Sequence, residues 1–245
     1  MQKIIIIPCY NEANRLPAHD FVEFAINNQE ILFLFVNDGS TDNTLEVINS
    51  LASQNDCFLS LDLDKNGGKA EAVRQGMLYA ANNFESEYIG FWDADLATPL
   101  NEIPRFIESA QLNHFHIVSG LRLMRLGAKV KRLRSRHYLG RFFATAASLV
   151  LKLPVYDTQC GAKLYQTDVV NSLFKDPFIT RWLFDVELLA RYIQLFGKEK
   201  AKNNIYECPL FQWEDIKGSS LKFKDFFKAP FELIKIRQKY LKHLK

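Results

Sequence analysis

Two aspartates, Asp93 and Asp95, stand one residue apart directly after the apolar run 88–92. On an extended strand residues i and i+2 point to the same side, so both carboxylates can face one point beyond a sheet edge. Paired hard oxygen donors suit Mg²⁺ or Mn²⁺, and magnesium takes one or two carboxylates together with waters and substrate phosphates. The pair therefore fits a nucleotide diphosphate held through its metal. The same stretch, DADLATP, also fits plain capping, since Asp95 or Thr98 can cap a helix that Pro99 begins.

Other chemistry-bearing residues follow other apolar runs. Asp38 can accept from a nucleobase N–H, with Gly39 permitting a tight turn, or it can be a simple turn residue. NGGKAEAVRQG, residues 66–76, reads as a glycine loop feeding a helix, a local arrangement that cradles phosphate. It lacks the Walker A spacing, and GxGxxG is absent, which counts against a dinucleotide site. Asp157, Asp185 and Glu187 are candidate bases. Asp185 and Glu187 diverge on a helix, so only one can face a site. Asp185 is the choice, because Phe184, Leu188 and Tyr192 form a neighbouring apolar stripe; Glu187 is expected as a surface carboxylate or helix salt bridge.

The elements that must position these residues alternate. KIIII (3–7), ILFLFV (31–36), CFLSLDL (57–63) and YIGFW (88–92) read as strands without strict polar alternation, hence covered on both faces. Residues 14–28, 42–55 and 68–83 read as helices, the second capped by Ser40 or Thr41. This order predicts an α/β fold, a mostly parallel, Rossmann-like sheet with helices on both faces, whose ligands lie beyond the carboxyl ends of the strands. Further on, 115–123 contains another strand, and 138–153 and 181–196 read as helices. One catalytic domain over residues 1–220 with a basic amphipathic appendage at 221–245 is the simplest organisation.

A chain of 245 residues, 48% hydrophobic, can bury a large core. Four scattered cysteines without a C-x-x-C pair argue against a zinc site or disulfide framework and for a reducing cytoplasm. No signal peptide or spanning helix is expected. The net charge of +3 hides an asymmetry: residues 122–141 carry +8 and 222–245 carry +6, leaving −11 for the rest. Such segments are either solvated helix faces or surfaces for anionic partners. In the second segment, aromatic and aliphatic residues interleave with lysines around Pro230, the profile of an interfacial segment on an anionic bilayer or of a helix packed on the domain. No nucleic-acid motif is present.

IIIIPCYNEANRL, FVNDGSTDNT, NGGKAEAVRQGM and WDADLATP, in this order, resemble the signature of family 2 glycosyltransferases with a GT-A fold. DTQCGAKLY (157–165) and RWLFDVELLARY (181–192) resemble the polyprenyl-phosphate sugar synthases among them, the dolichyl-phosphate glucose and mannose synthases most of all. The resemblance implies inverting transfer of a hexose, glucose first, from a nucleotide sugar such as UDP-glucose to a polyprenyl phosphate. It places Pro8, Tyr10, Asn11 and Glu12 around the nucleotide, Asp38 on the base, and Gly67, Gly68 and Lys69 over the nucleoside. Asp93 and Asp95 would hold the metal and diphosphate. Arg122, Arg134 and Arg136 would meet the donor and acceptor phosphates, and Asp157, Gln159 and Gly161 would sit by the acceptor.

The acceptor decides whether a base is needed. A hydroxyl must lose a proton, whereas a lipid phosphate is already anionic. The acid-free segment 122–141 favours the phosphate; transfer to a hydroxyl of a glycan, polysaccharide or other cell-surface acceptor is the alternative. A polymer synthase is disfavoured, because its Q-x-x-R-W pattern would need Gln where Phe178 precedes Arg181 and Trp182. The expected location is the cytoplasm, peripheral at the inner face of the membrane, in cell-envelope glycan biosynthesis.

Overall fold

The computed structural model describes residues 2–131, 134–215 and 223–242; at 134–137 and 223–227 it describes the backbone alone. The strands are β1 (Gln2–Cys9), β2 (Ile31–Asp38), β3 (Phe58–Leu63), β4 (Ser86–Phe91), β5 (Ile117–Leu121), β6 (Lys129–Lys131), β7 (Lys163–Gln166), β8 (Ile205–Pro209) and β9 (Gln212–Glu214). The α-helices are α1 (Ala18–Ile26), α2 (Thr44–Gln54), α3 (Lys69–Asn83), α4 (Ile103–Asn113), α5 (Arg134–Leu151), α6 (Thr167–Phe174), α7 (Phe184–Phe196), α8 (Lys198–Asn204) and α9 (Phe223–Tyr240).

Seven strands form one sheet in the order β3-β2-β1-β4-β7-β5-β8, and β6 pairs with β9. β1 pairs in parallel with both β2 and β4, so strand order reverses at β1, the switch point where such sheets bind ligands. β7 runs antiparallel between β4 and β5. Ile4 to Ile7 and Phe33 to Val36 are fully buried, as β-branched and aromatic strand residues covered on both faces should be. Phe21 of α1 packs edge-on against Phe33 and Phe35 at 5.3 and 5.0 Å between ring centres. β3 departs from the sequence expectation: it is the sheet edge, and Ser60 and Asp62 alternate outward to solvent.

The start of α2 also differs. Asp42 accepts from Thr44 N at 3.1 Å, while Ser40 and Thr41, expected as caps, bond Asn11 instead. All four cysteines are free and buried. No described helix is long and apolar enough to cross a membrane. The segment expected as an appendage forms α9, which continues through Pro230 and packs on α7 and α5. Ala229, Leu233, Ile236 and Tyr240 are buried there, while Phe231 and Ile234 face out.

Candidate active site

The carboxyl ends of β1, β2 and β4 open into a cleft of about 1030 Å³. Pro8, Tyr10 and Glu12 line it from β1, Asp38 from β2, Gly67, Gly68 and Lys69 from the start of α3, and Asp93 and Asp95 from beyond β4. Arg122, Asp157, Gln159 and Asp185 line the other side. The pairing of Phe91 with Lys163 explains this closure. Because β7 runs antiparallel to β4, the loop entering β7 arrives at the end that β4 leaves, beside Asp93. Gly161 lies so close that a Cβ there would fall 1.8 Å from Asp93 Oδ2.

The side of the cleft between β2 and α3 is built from backbone donors. Asp38 Oδ1 accepts from Gly67 N at 2.7 Å, and Oδ2 accepts from Gly68 N at 2.9 Å and Asn66 Nδ2 at 3.1 Å. Gly68 has φ +86°, a left-handed conformation that glycine adopts readily. Burial raises the Asp38 carboxyl above its ordinary range, and the two glycine N–H bonds act against that rise. Asn11 lies behind the cleft wall, where its side chain accepts from Thr41 N at 2.8 Å. Burial likewise raises Glu12, opposed by its ion pair with Arg15 at 2.7 Å.

Asp93 meets the Lys69 ammonium. Asp95 Oδ1 accepts from Ala97 N at 3.0 Å, so capping and cleft lining coexist in this residue. Burial, then the neighbouring Asp93 charge, holds the Asp95 carboxyl above the usual aspartate range. A carboxylate held so by burial and by a second carboxylate beside it is short of positive charge, which a divalent cation would supply. Among the described residues no three His, Cys, Asp or Glu side chains converge as a metal cage. The donor set thus fits a hard cation completed by water and phosphate oxygens, with Asp93 and Asp95 as its protein ligands.

The far side consists of fixed ion pairs. Arg122 Nε and Nη2 grip Asp157 at 2.6 and 2.7 Å, and the guanidinium lies 5.3 Å from the Trp213 ring centre. Burial alone would weaken the Arg122 charge, but Asp157 overcomes it. Glu207 accepts from Tyr156 N at 2.8 Å and Asp157 N at 2.7 Å, fastening this loop from behind. Asp185 pairs at 2.8 Å with buried Lys163; burial raises its carboxyl, and Lys163 and Lys69 oppose the rise. Glu187 corrects the expectation of a surface carboxylate. It is fully buried and accepts from Thr180 N at 3.1 Å, Arg191 Nη2 at 2.8 Å and Tyr240 Oη at 2.7 Å, which joins α7 to α9. The expected pairing within the helix is present, as Glu187–Arg191.

Sequence reasoning did not single out Arg141, Arg181, Lys163 or Glu207. Arg141 stacks on Tyr156, 3.3 Å from the ring centre, and donates to the neutral Tyr156 carbonyl at 3.2 Å. Arg181 lines the cleft above Gly68. Lys163 lay inside the DTQCGAKLY motif and Arg181 began RWLFDVELLARY, so both were within reach of the motifs. Gly161 presses on Asp93 without appearing in the cleft lining. Arg134 and Arg136 lie outside the residues with described side chains.

The family model "Glycosyl transferase family 2" matches residues 4–174. A dolichyl-phosphate beta-glucosyltransferase of Trichomonas vaginalis is 31% identical over 244 residues, covering 94% of this chain and 69% of the relative. One of Saccharomyces cerevisiae is 28% identical over 259 residues, covering 97% and 74%. The fold is shared with glucosyl-3-phosphoglycerate synthase from Mycobacterium tuberculosis, solved with UDP, at TM-score 0.69 and 14% identity over 97% of this chain and 80% of that one. The same enzyme solved with Mn²⁺, UDP and glucosyl-3-phosphoglycerate gives TM-score 0.67.

Proposed function

The chain belongs to glycosyl transferase family 2, and on that premise we propose that it transfers glucose from UDP-glucose to a polyprenyl phosphate, with inversion, at an anionic membrane surface on the cytoplasmic side. The observation that carries the acceptor class is the state of the candidate bases. Asp157 is held bidentate by Arg122, Asp185 is paired with Lys163, and Glu187 lies outside the cleft lining with hydrogen-bond donors around it. Asp215 and Glu232, which also line the cleft, are engaged as well. A hydroxyl acceptor needs a free carboxylate within reach, and an ionised phosphate does not. The names of the relatives, dolichyl-phosphate beta-glucosyltransferases, support the same acceptor and glucose as the sugar.

In this reading Asp38 holds the base through an edge fixed by Gly67 and Gly68, and Glu12 faces the ribose. Asp93 and Asp95 would hold Mg²⁺ or Mn²⁺, which would supply charge stabilisation to a departing diphosphate. Lys69, already on Asp93, adds a second cation there. Arg122 and Asp157 act as one rigid unit that shapes the acceptor side, and Arg141 offers a guanidinium bonded to a neutral carbonyl. The acceptor phosphate attacks the anomeric carbon opposite the leaving diphosphate, and no side chain has to remove a proton. The test is a panel of nucleotide sugars with Mg²⁺ or Mn²⁺, with and without a polyprenyl phosphate, reading nucleotide release. Release with UDP-glucose that depends on both metal and lipid is expected; release indifferent to the lipid refutes the acceptor.

A further inference from the structure

α5 is apolar on two opposite sides. Phe143, Ala144, Ala147 and Leu151 are buried against the domain. Tyr138, Phe142 and Leu149 are 71%, 79% and 75% exposed, and at about 100° per residue they lie within roughly 40° of one another, turned away from Ala147. A helix on a water-facing surface carries polar residues outward, whereas this outer row is mainly aromatic and aliphatic, with Thr145 among it. The turn leading towards α5 presents Leu126, 99% exposed, and on α9, packed beside α5, Phe231 and Ile234 are also outward. α5 contains no acidic residue, and exposed Arg125, Lys129, Lys152 and Lys228 lie along the same elements.

We propose that the outer face of α5, with the Leu126 turn and the outer side of α9, docks on an anionic lipid bilayer. Apolar anchors flanked by Lys and Arg match an interfacial surface, whose hydrocarbon boundary takes the side chains and whose headgroups take the cations. The charge asymmetry orients the molecule, because the segment carrying +8 holds the Leu126 turn and the start of α5, the segment carrying +6 holds α9, and the remainder carries −11. α5 and α9 also wall the cleft, through Arg141 and Phe143 on one and Lys228 on the other. Docking this face therefore brings the cleft mouth to the headgroup layer, where a polyprenyl phosphate presents its phosphate; this last step rests on the acceptor proposed above.

The test is flotation of the full chain with vesicles of phosphatidylcholine alone or mixed with phosphatidylglycerol. The parent is expected to float with mixed vesicles and less with neutral ones. Phe142→Asp/Leu149→Asp, and separately Leu126→Asp, should lower the bound fraction, the double variant at least about tenfold. Leu112→Asp on α4, an exposed leucine beside Lys3 and Ile31 at the opposite end of the sheet, should float like the parent. Parent-like flotation of the double variant overturns the proposal, as does conversion of an oligomer to a smaller species by that variant, which would make the face a contact between copies. Glucose transfer to a short, water-soluble isoprenyl phosphate should survive in the variants. Flotation intact in a parent that ignores every polyprenyl phosphate would refute the acceptor and leave the docking surface standing.

Discussion

Replacing Asp185 by Asn tests the physical reading of the far wall. Asp185 and Lys163 are 6% and 3% exposed, and Nζ lies 2.8 Å from Oδ1. Lys163 also donates to the Cys160 carbonyl and sits 5.4 Å from the Phe91 ring centre; Glu207 is a further carboxylate within its electrostatic reach, but Asp185 is the one it pairs with directly. Neutralising Asp185 leaves a buried ammonium without its counter-charge, a change that costs roughly 3–5 kcal/mol. In a domain of this size that lowers Tm by roughly 6–20 °C. A domain stable by about 5–15 kcal/mol can remain folded after such a loss. Removing both charges, as Asp185→Leu with Lys163→Met, should recover most of the loss, because a packed apolar pair often matches a buried ion pair. Urea unfolding of the parent, Asp185→Leu, Lys163→Met and the double variant closes a cycle with an expected coupling of at least about 2 kcal/mol. Transfer per folded molecule in Asp185→Asn should fall less than in Asp95→Asn, since an ionised acceptor needs no base. A single variant within about 0.5 kcal/mol of the parent would refute the buried-pair reading, that being the range of inert surface changes.

Asp95→Asn should abolish metal-dependent transfer with an unchanged far-ultraviolet spectrum; retained activity would remove Asp95 from the metal site. Gly161→Ala places a Cβ 1.8 Å from Asp93 Oδ2, so Asp93 must move; calorimetry should show Mn²⁺ with UDP binding at least about tenfold more weakly, against a parent-like melting curve. Tyr240→Phe removes the 2.7 Å bond to buried Glu187 and should cost about 1.5–3 kcal/mol in urea unfolding, with faster amide exchange in α9 than in β1. Glu207 gives a pH signature. Burial raises its folded carboxyl above 4.5, so the folded state holds the proton to higher pH than the unfolded chain. Its contribution makes stability fall as pH climbs from about 4.5 to the raised value and level off above it. That slope should vanish in Glu207→Gln.

Strand-end motifs were readable because a parallel sheet delivers the residue after each strand to one edge. Asp38, Gly67, Asp93 and Asp95 needed only the alternation of apolar runs and helices to be placed together. Helix geometry allowed only one of Asp185 and Glu187 to face the cleft, and the neighbouring stripe of Phe184, Leu188 and Tyr192 selected Asp185. The fate of Glu187 did not follow from the helix, because its partners Thr180 and Tyr240 lie on other elements and Tyr240 is 53 residues away. The edge position of β3 was legible, because Ser60 and Asp62 alternate with Leu59, Leu61 and Leu63, the pattern of a strand wet on one face, but the apolar residues outweighed it.

The amino-acid sequence by itself determined the element order, the two basic segments and the carboxylates at the strand ends, since these follow from local periodicity and from residues adjacent in the chain. Tertiary structure alone decided which charges are spent on one another. The antiparallel insertion of β7 beside β4 carries Gly161 onto Asp93 and Lys163 to Asp185, and β5 brings Arg122 to Asp157, 35 residues away. Burial then fixes those pairs, because a charge removed from water is stable only beside its opposite. The outer face of α5 was likewise invisible in the chain, where Phe142 and Phe143 read alike. Only packing shows that one is in the core and the other faces out.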